Sequence, residues 1–211
     1  MSATSAQRVL AMAFDERMPE AQDGLGQRIL DAALDLAAAS GFRHLTMDDV
    51  ARRARVGRMT VYRRFGTRQA LIDALAVREC RRCLDAIAGA LDPHDPMPDR
   101  LVSLFTATLK VIRQHPLLER LARVEPDALL HELTRDGSAV FRLVQGFLSA
   151  LIEQGQAAGE LVEGDPALLA ELGIRLGASF VLMPDSVLPL HDQAATEAAV
   201  RGLLAPLTVP A

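Results

Sequence analysis

From residue 24 onward the apolar residues recur at three- and four-residue spacing, and nowhere do they alternate with polar residues for long. Ile29, Leu30, Ala33, Leu34 and Ala37 make the first such stripe, on a stretch rich in Ala and Leu that favours helix. It stops at Ser40-Gly41-Phe42, where Gly41 can take a left-handed C′ position and Phe42 can fold back as its apolar contact. Thr46 then offers an N-cap, Asp49 stands at N3, and Leu45 and Val50 hold the two ends of a hydrophobic staple. These signals predict a two-turn helix from Met47 to Ala54, a break at Arg55-Val56-Gly57, and a second short helix from Arg58 to Phe65. Gly66 ends it, and Thr67 can cap a third that runs through Leu71 and Leu75 toward Ala90. Two short helices about a tight turn have the spacing of a helix-turn-helix unit.

The stretch from Asp92 to Pro98 carries three prolines and breaks the pattern. Beyond it only helical periodicity continues. Leu101, Leu104, Phe105, Thr108, Leu109 and Ile112 form a stripe ended by His115-Pro116, and short helices follow at Leu117 to Val124 and Ala128 to Thr134. A long helix is predicted from Ser138 to Ala158, another opens at Asp165-Pro166 and reaches Met183, and a last one spans Gln193 to Leu204. The chain is therefore expected to be all-α. Residues 1–23 lack sustained periodicity and are expected to be a mobile tail, residues 24–72 a helix-turn-helix module, and residues 73–211 a second helical domain.

Composition changes this picture in one respect. A chain of 211 residues with 50% hydrophobic and 24% charged residues is ordinary for a globular protein, and 23 basic against 27 acidic residues give a formal charge of −4. The charge is unevenly spread. No acidic residue lies between Val50 and Ile72, while Arg52, Arg53, Arg55, Arg58, Arg63, Arg64 and Arg68 all do. Without those seven, 16 basic residues face 27 acidic ones, a formal charge of −11. Such an island in an acidic chain points to a polyanionic partner.

Two cysteines exclude a disulfide framework. No secretory signal is visible, and the apolar run from Leu176 to Met183 is far short of the ~20 residues of a membrane helix. The expectation is a cytoplasmic protein with no membrane partner.

On a helix from Arg58 to Phe65, Val61 and Phe65 share one side and Arg63 lies opposite, flanked by Met59 and Thr60 with Tyr62 and Arg64 at the edges. Val61 and Phe65 are then the anchors, and the outer face is left to Arg, Met, Thr and Tyr. Arginine can pair bidentately with a guanine edge, and Thr or Met can meet a thymine methyl. Tyr62, the single tyrosine, can bond a phosphate oxygen. A helix so equipped suits a DNA major groove.

The run Ala51-Arg-Arg-Ala-Arg-Val-Gly-Arg-Met-Thr-Val-Tyr-Arg-Arg-Phe65, with Arg68 and Leu71 after it and Gly41-Phe42, Thr46 and Val50 before it, closely resembles the DNA-binding motif of the tetracycline-repressor (TetR) family of transcriptional regulators. The resemblance covers about residues 26–72. It implies a homodimeric repressor that leaves a palindromic operator when a small apolar effector enters its C-terminal domain. Thr46 matches the family's phosphate contact before the second helix, and Arg68 the one at the start of the fourth. Arg58, Met59, Thr60, Tyr62, Arg63 and Arg64 fall on the recognition helix, with Arg58 and Arg63 expected to read bases. Two residues depart from the family, which commonly has Gly in place of Arg55 and Ser in place of Gly57. A left-handed Arg55 would store about 1–2 kcal/mol of strain, whereas Gly57 caps almost as well as Ser.

By the same resemblance Leu104, Phe105, Thr108, Ile112, Leu121, Phe141, Gln145, Leu148 and Phe180 are candidates to line the effector pocket, although such stripes equally describe a plain core. The dimer interface is expected on the last two long helices, at Leu151, Leu169, Leu172, Gly173, Leu176 and Gly177, where the two glycines would let a partner helix approach closely. Cys80 and Cys83 form a CxxC without a second pair, more readily two small helix residues than a redox or metal site, and no metal or cofactor is expected. The five histidines have no ligand spacing. Two alternatives stay open: control by a protein partner or by thiol oxidation, and a helical enzyme whose basic face is incidental.

Overall fold

The structure, a computed structural model, describes residues 23–134, 138–183, 186–189, 192–205 and 208. The expected N-terminal tail thus lies outside the described residues apart from Asp23. Ten helices are found among the described residues: α1 Gly24–Ser40, α2 Met47–Ala54, α3 Arg58–Phe65, α4 Arg68–Ala88, α5 Met97–Gln114, α6 Pro116–Val124, α7 Pro126–Thr134, α8 Ala139–Ala157, α9 Pro166–Leu182 and α10 Gln193–Leu204. The one strand-like contact among them is a single antiparallel bridge between Leu161 and Thr208.

Local chemistry sets the ends. The Asp23 carboxylate accepts from Gly26 N–H at 2.7 Å and starts α1. Asp165 and Pro166 start α9 in the same way, the carboxylate accepting from Ala167 N–H while proline occupies the first helical position. Asp192 does so for α10.

The chain divides into two compact units. The N-terminal unit runs through α4 to Arg81 and takes in residues 115–140, so α6 and α7 belong to it. The C-terminal unit comprises residues 82–114 and 141–211.

The N-terminal unit is built around Ile29, Leu30, Val50, Val61, Leu71 and Leu75, all fully buried, with Leu117 and Leu121 of α6 in the same cluster. Leu121 was expected in an effector pocket. It is instead a core residue of this unit, because an apolar stripe on α6 says only that the helix is covered, and α1 is what α6 meets. A polar layer lies beside this core. Arg78 donates to Asp31 and to Glu79, each at 2.7 Å, and His115 Nε2 lies 3.1 Å from the other Glu79 oxygen. Because His115 Nδ1 accepts from Leu118 N–H at the start of α6, the ring proton sits on Nε2 and is given to Glu79.

In the C-terminal unit Val102, Leu143, Phe147, Leu151, Ile174 and Val200 are buried. Gly155 is required there, since a Cβ would stand 2.6 Å from Leu161 Cδ1 and 2.9 Å from Met97 Cγ. Arg100 is buried beside the start of α5, where loss of solvent lowers its pKa despite the opposing pull of Glu160 and Asp95.

Candidate nucleic-acid interface

The presenting surface grows from the α2–α3 turn. Thr46 closes the start of α2 doubly: its hydroxyl accepts from Asp49 N–H at 3.1 Å and donates to the Asp49 carboxylate at 2.6 Å. At the other end Arg55 takes the left-handed conformation, with φ 55° and ψ 48°, where a residue with a Cβ is strained by about 1–2 kcal/mol. Gly57 then starts α3 without a side-chain cap. Val61 is wholly buried and fixes α3 on the core, while Phe65 and Tyr62 pack partly against it. Opposite them, Arg63 is exposed and Met59 is 75% exposed. This exposed methionine stands in the first turn of the short, anchored helix.

The arginine island is less free than its sequence suggests. Aspartates from before the acid-free run fold back onto it: Asp48 on Arg58, Asp49 on Arg52, Asp35 on Arg53 and Asp23 on Arg64. Arg64, expected at the edge of this helix, is thereby turned toward the start of α1, with its side chain only 19% exposed. Arg68 gives its Nε to the Leu45 carbonyl and its Nη2 to the Phe42 carbonyl, so its first task is to hold the α1–α2 turn. The Thr46 hydroxyl is likewise already committed to capping. The side chains of Arg55 and Arg63 have no hydrogen-bond or ion-pair partner among the described residues.

A second contact on the same turn gave no local signal in the sequence. Glu125, between α6 and α7, is 4% exposed, and its carboxylate accepts from Phe42 N–H at 3.1 Å. Gly41 makes room for it. A Cβ there would lie 1.6 Å from Glu125 Oε1, and the backbone at φ 83° and ψ 169° is almost restricted to glycine. Gly41 therefore has the expected positive φ, though extended rather than helical. The Phe42 N–H is thus held by a carboxylate and the Phe42 carbonyl by a guanidinium.

In the C-terminal unit Leu104, Phe105, Thr108, Ile112, Phe141, Gln145, Leu148 and Phe180 are all half-buried. Phe105 meets Phe180 edge-on with centroids 5.4 Å apart, which joins α5 to α9. The Thr108 hydroxyl donates to the Leu104 carbonyl, so it is spent within α5. On α9, Leu168, Leu172 and Leu176 form an exposed stripe, Gly173 is exposed and Gly177 half-buried, with Leu169 half-buried beside them. Leu151 differs: it is 4% exposed and belongs to the unit's own core, so it offers no surface to a partner. Cys80 and Cys83 are half-buried on α4. No cluster of His, Cys, Asp and Glu suited to a metal ion and no helix long and apolar enough to cross a membrane occurs among the described residues.

Residues 29–75 match the family described as bacterial regulatory proteins, tetR family. The HTH-type transcriptional regulator AlkX of Mycobacterium tuberculosis is 28% identical over 185 residues, covering 85% of this chain and 86% of its own. Two solved structures share the fold. The TetR family repressor AlkX from Dietzia sp., implicated in biodegradation of n-alkanes, has a TM-score of 0.63 at 23% identity and covers 89% of this chain and 96% of its own. The fatty acid degradation regulator FadR from Bacillus halodurans has a TM-score of 0.61 at 20% identity and covers 90% of this chain and 96% of its own.

Proposed function

We propose that this chain is a helix-turn-helix transcriptional regulator of the TetR family and, on that premise, a homodimeric repressor released from its operator by a small apolar effector. The observation that carries DNA recognition is α3 itself, a two-turn helix anchored by Val61 with Met59 and Arg63 turned to solvent. A helix of that size reads only a few base pairs. Two copies are needed for useful specificity, which implies an operator of two half-sites about one helical turn apart.

The α9 stripe is the proposed dimer face. Leu168, Leu172 and Leu176 are at least 50% exposed, an apolar patch that water penalises until another surface covers it. The proposed effector site is the half-buried lining of α5, α8 and α9. That lining is almost wholly apolar, with Gln145 its one polar side chain not already spent, so it suits a hydrocarbon chain better than a charged metabolite. The n-alkane and fatty acid contexts of the two structural neighbours agree with that class. Release requires the effector to bind the conformation that DNA does not select, by a coupling of about 1–3 kcal/mol.

The test is a mobility shift on duplexes selected by the protein from a random pool, at two salt concentrations, with and without n-alkanes and fatty acids. Phosphate contacts predict a steep loss of affinity with salt. A Phe105→Trp or Leu148→Trp variant should bind the selected duplex normally yet need more effector for release. Binding that ignores salt and sequence would reject the regulator, and an unchanged effector response in both variants would move the pocket elsewhere.

A further inference from the structure

Arg58 and Arg63 both lie on the recognition helix, but they are prepared differently. Arg63 is exposed and unpaired among the described residues, so its rotamers must be ordered on binding. Arg58 is held before DNA arrives. Its Nε is 2.9 Å from Asp48 Oδ1, its Nη2 is 3.5 Å from the Tyr62 hydroxyl, and its guanidinium carbon is 5.2 Å from the Tyr62 ring centroid. The Tyr62 hydroxyl, and after it the Asp48 charge, raise the Arg58 pKa above its ordinary value. Of the five guanidinium protons these contacts use the one on Nε and one on Nη2. The two on Nη1 and the second on Nη2 remain, enough for the bidentate pair that a guanine O6/N7 edge accepts.

Asp48 does more than steady its neighbour. A backbone phosphate approaching Arg58 meets a carboxylate beside it, and the two like charges repel. A guanine edge carries no net charge and can use the remaining protons while the Arg58–Asp48 pair stays intact. The pair thus opposes the sequence-independent contact and tolerates the specific one, discrimination through a built-in repulsive element.

We propose that Asp48 is a specificity-determining residue, which sets Arg58 toward a guanine edge and disfavours its use as a phosphate clamp. This rests on the regulator reading above. The experiment is selection from one random duplex pool by the wild type and by Asp48→Ala, Asp48→Asn and Arg58→Ala. Affinities are then measured for the duplex selected by the wild type and for the unselected pool. Asp48→Ala should lose base preference at the position that Arg58→Ala loses, bind the unselected pool more tightly, and lower the selected-to-unselected ratio about fivefold or more. Asp48→Asn, which keeps an acceptor for Arg58 Nε, should keep that base preference while gaining affinity for the pool. Thermal melting confirms that the variants are folded, and if Asp48→Ala is not, the Asn variant decides. Unchanged preference and ratio in a folded Asp48 variant overturn the proposal while the regulator reading stands. A wild type that enriches no sequence overturns both.

Discussion

The two units treat their apolar residues in opposite ways. In the N-terminal unit the residues that shape the fold, from Ile29 to Leu75, are sealed within it, and α6 adds Leu117 and Leu121 to the seal. In the C-terminal unit the facing residues of α5, α8 and α9 are left half-buried, and α9 carries leucines that are at least half exposed. One unit seals nearly all of these residues; the other leaves apolar residues half-buried or exposed around its core, the surface proposed above for an effector and a second subunit. A part that must hold a reading helix in place gains from a closed core, and a part that must respond gains from an open one.

Truncation should separate them most sharply. Leu71→Ala is expected to lower the stability of the N-terminal unit by about 2–5 kcal/mol, whereas Leu148→Ala, at a half-buried site, should cost its unit about 1 kcal/mol. Tyr62 is the only tyrosine of a chain without tryptophan, so its fluorescence in urea reports the N-terminal unit. A Tyr62 transition shifted equally by both variants would show one shared core instead of two.

Gly177→Arg tests the open side. A Cβ there meets nothing within 4 Å among the described residues, so the variant should fold, sediment as a monomer and bind the selected duplex about tenfold more weakly or worse. An intact dimer would remove α9 from the interface.

Glu125→Ala tests the closed side. It leaves the Phe42 N–H buried without its acceptor and should cost about 1–3 kcal/mol in Tyr62-detected stability, most of it restored by Glu125→Gln, whose amide oxygen can still accept. Equal losses in both would assign the effect to charge.

The smallest effect concerns pH. Gly26 N–H, and with it Arg64, hold the Asp23 carboxyl below its ordinary value of 3.8. Its contribution is therefore complete above that value and fades as the pH falls through the lower folded-state pKa. Asp23→Asn should lower the Tyr62-detected stability slightly at neutral pH, by a difference that shrinks to nothing as the pH falls below 3.8 and so flattens the acid limb.

The same contrast explains what could be read from sequence. Thr46, Asp49 and Gly66 lie within a few residues of the ends they define, so α2 and α3 were legible to the residue. Arg55 was legible as a strained turn only through the resemblance, in which Gly is common at its place. The island was legible as charge but not as geometry: Asp48 and Asp35 lie outside the acid-free run, and only folding brings them onto Arg58 and Arg53. Glu125 lies 83 residues from Phe42 and resembles any glutamate between two helices. The reassignment of Leu121 has the same origin, since periodicity tells which face of a helix is covered and is silent about what covers it.

Gly41 and Glu125 also bear on how this protein can change by descent. Any side chain at 41 collides with the carboxylate and strains the backbone, and a shorter residue at 125 strands a peptide hydrogen, so single steps at either position run downhill. Shortening Glu125 first relieves the collision, which makes the fitness of one substitution depend on the order in which the other arrived. Lineages derived from this chain should therefore keep both residues together or lose them together, even as the surfaces around them drift.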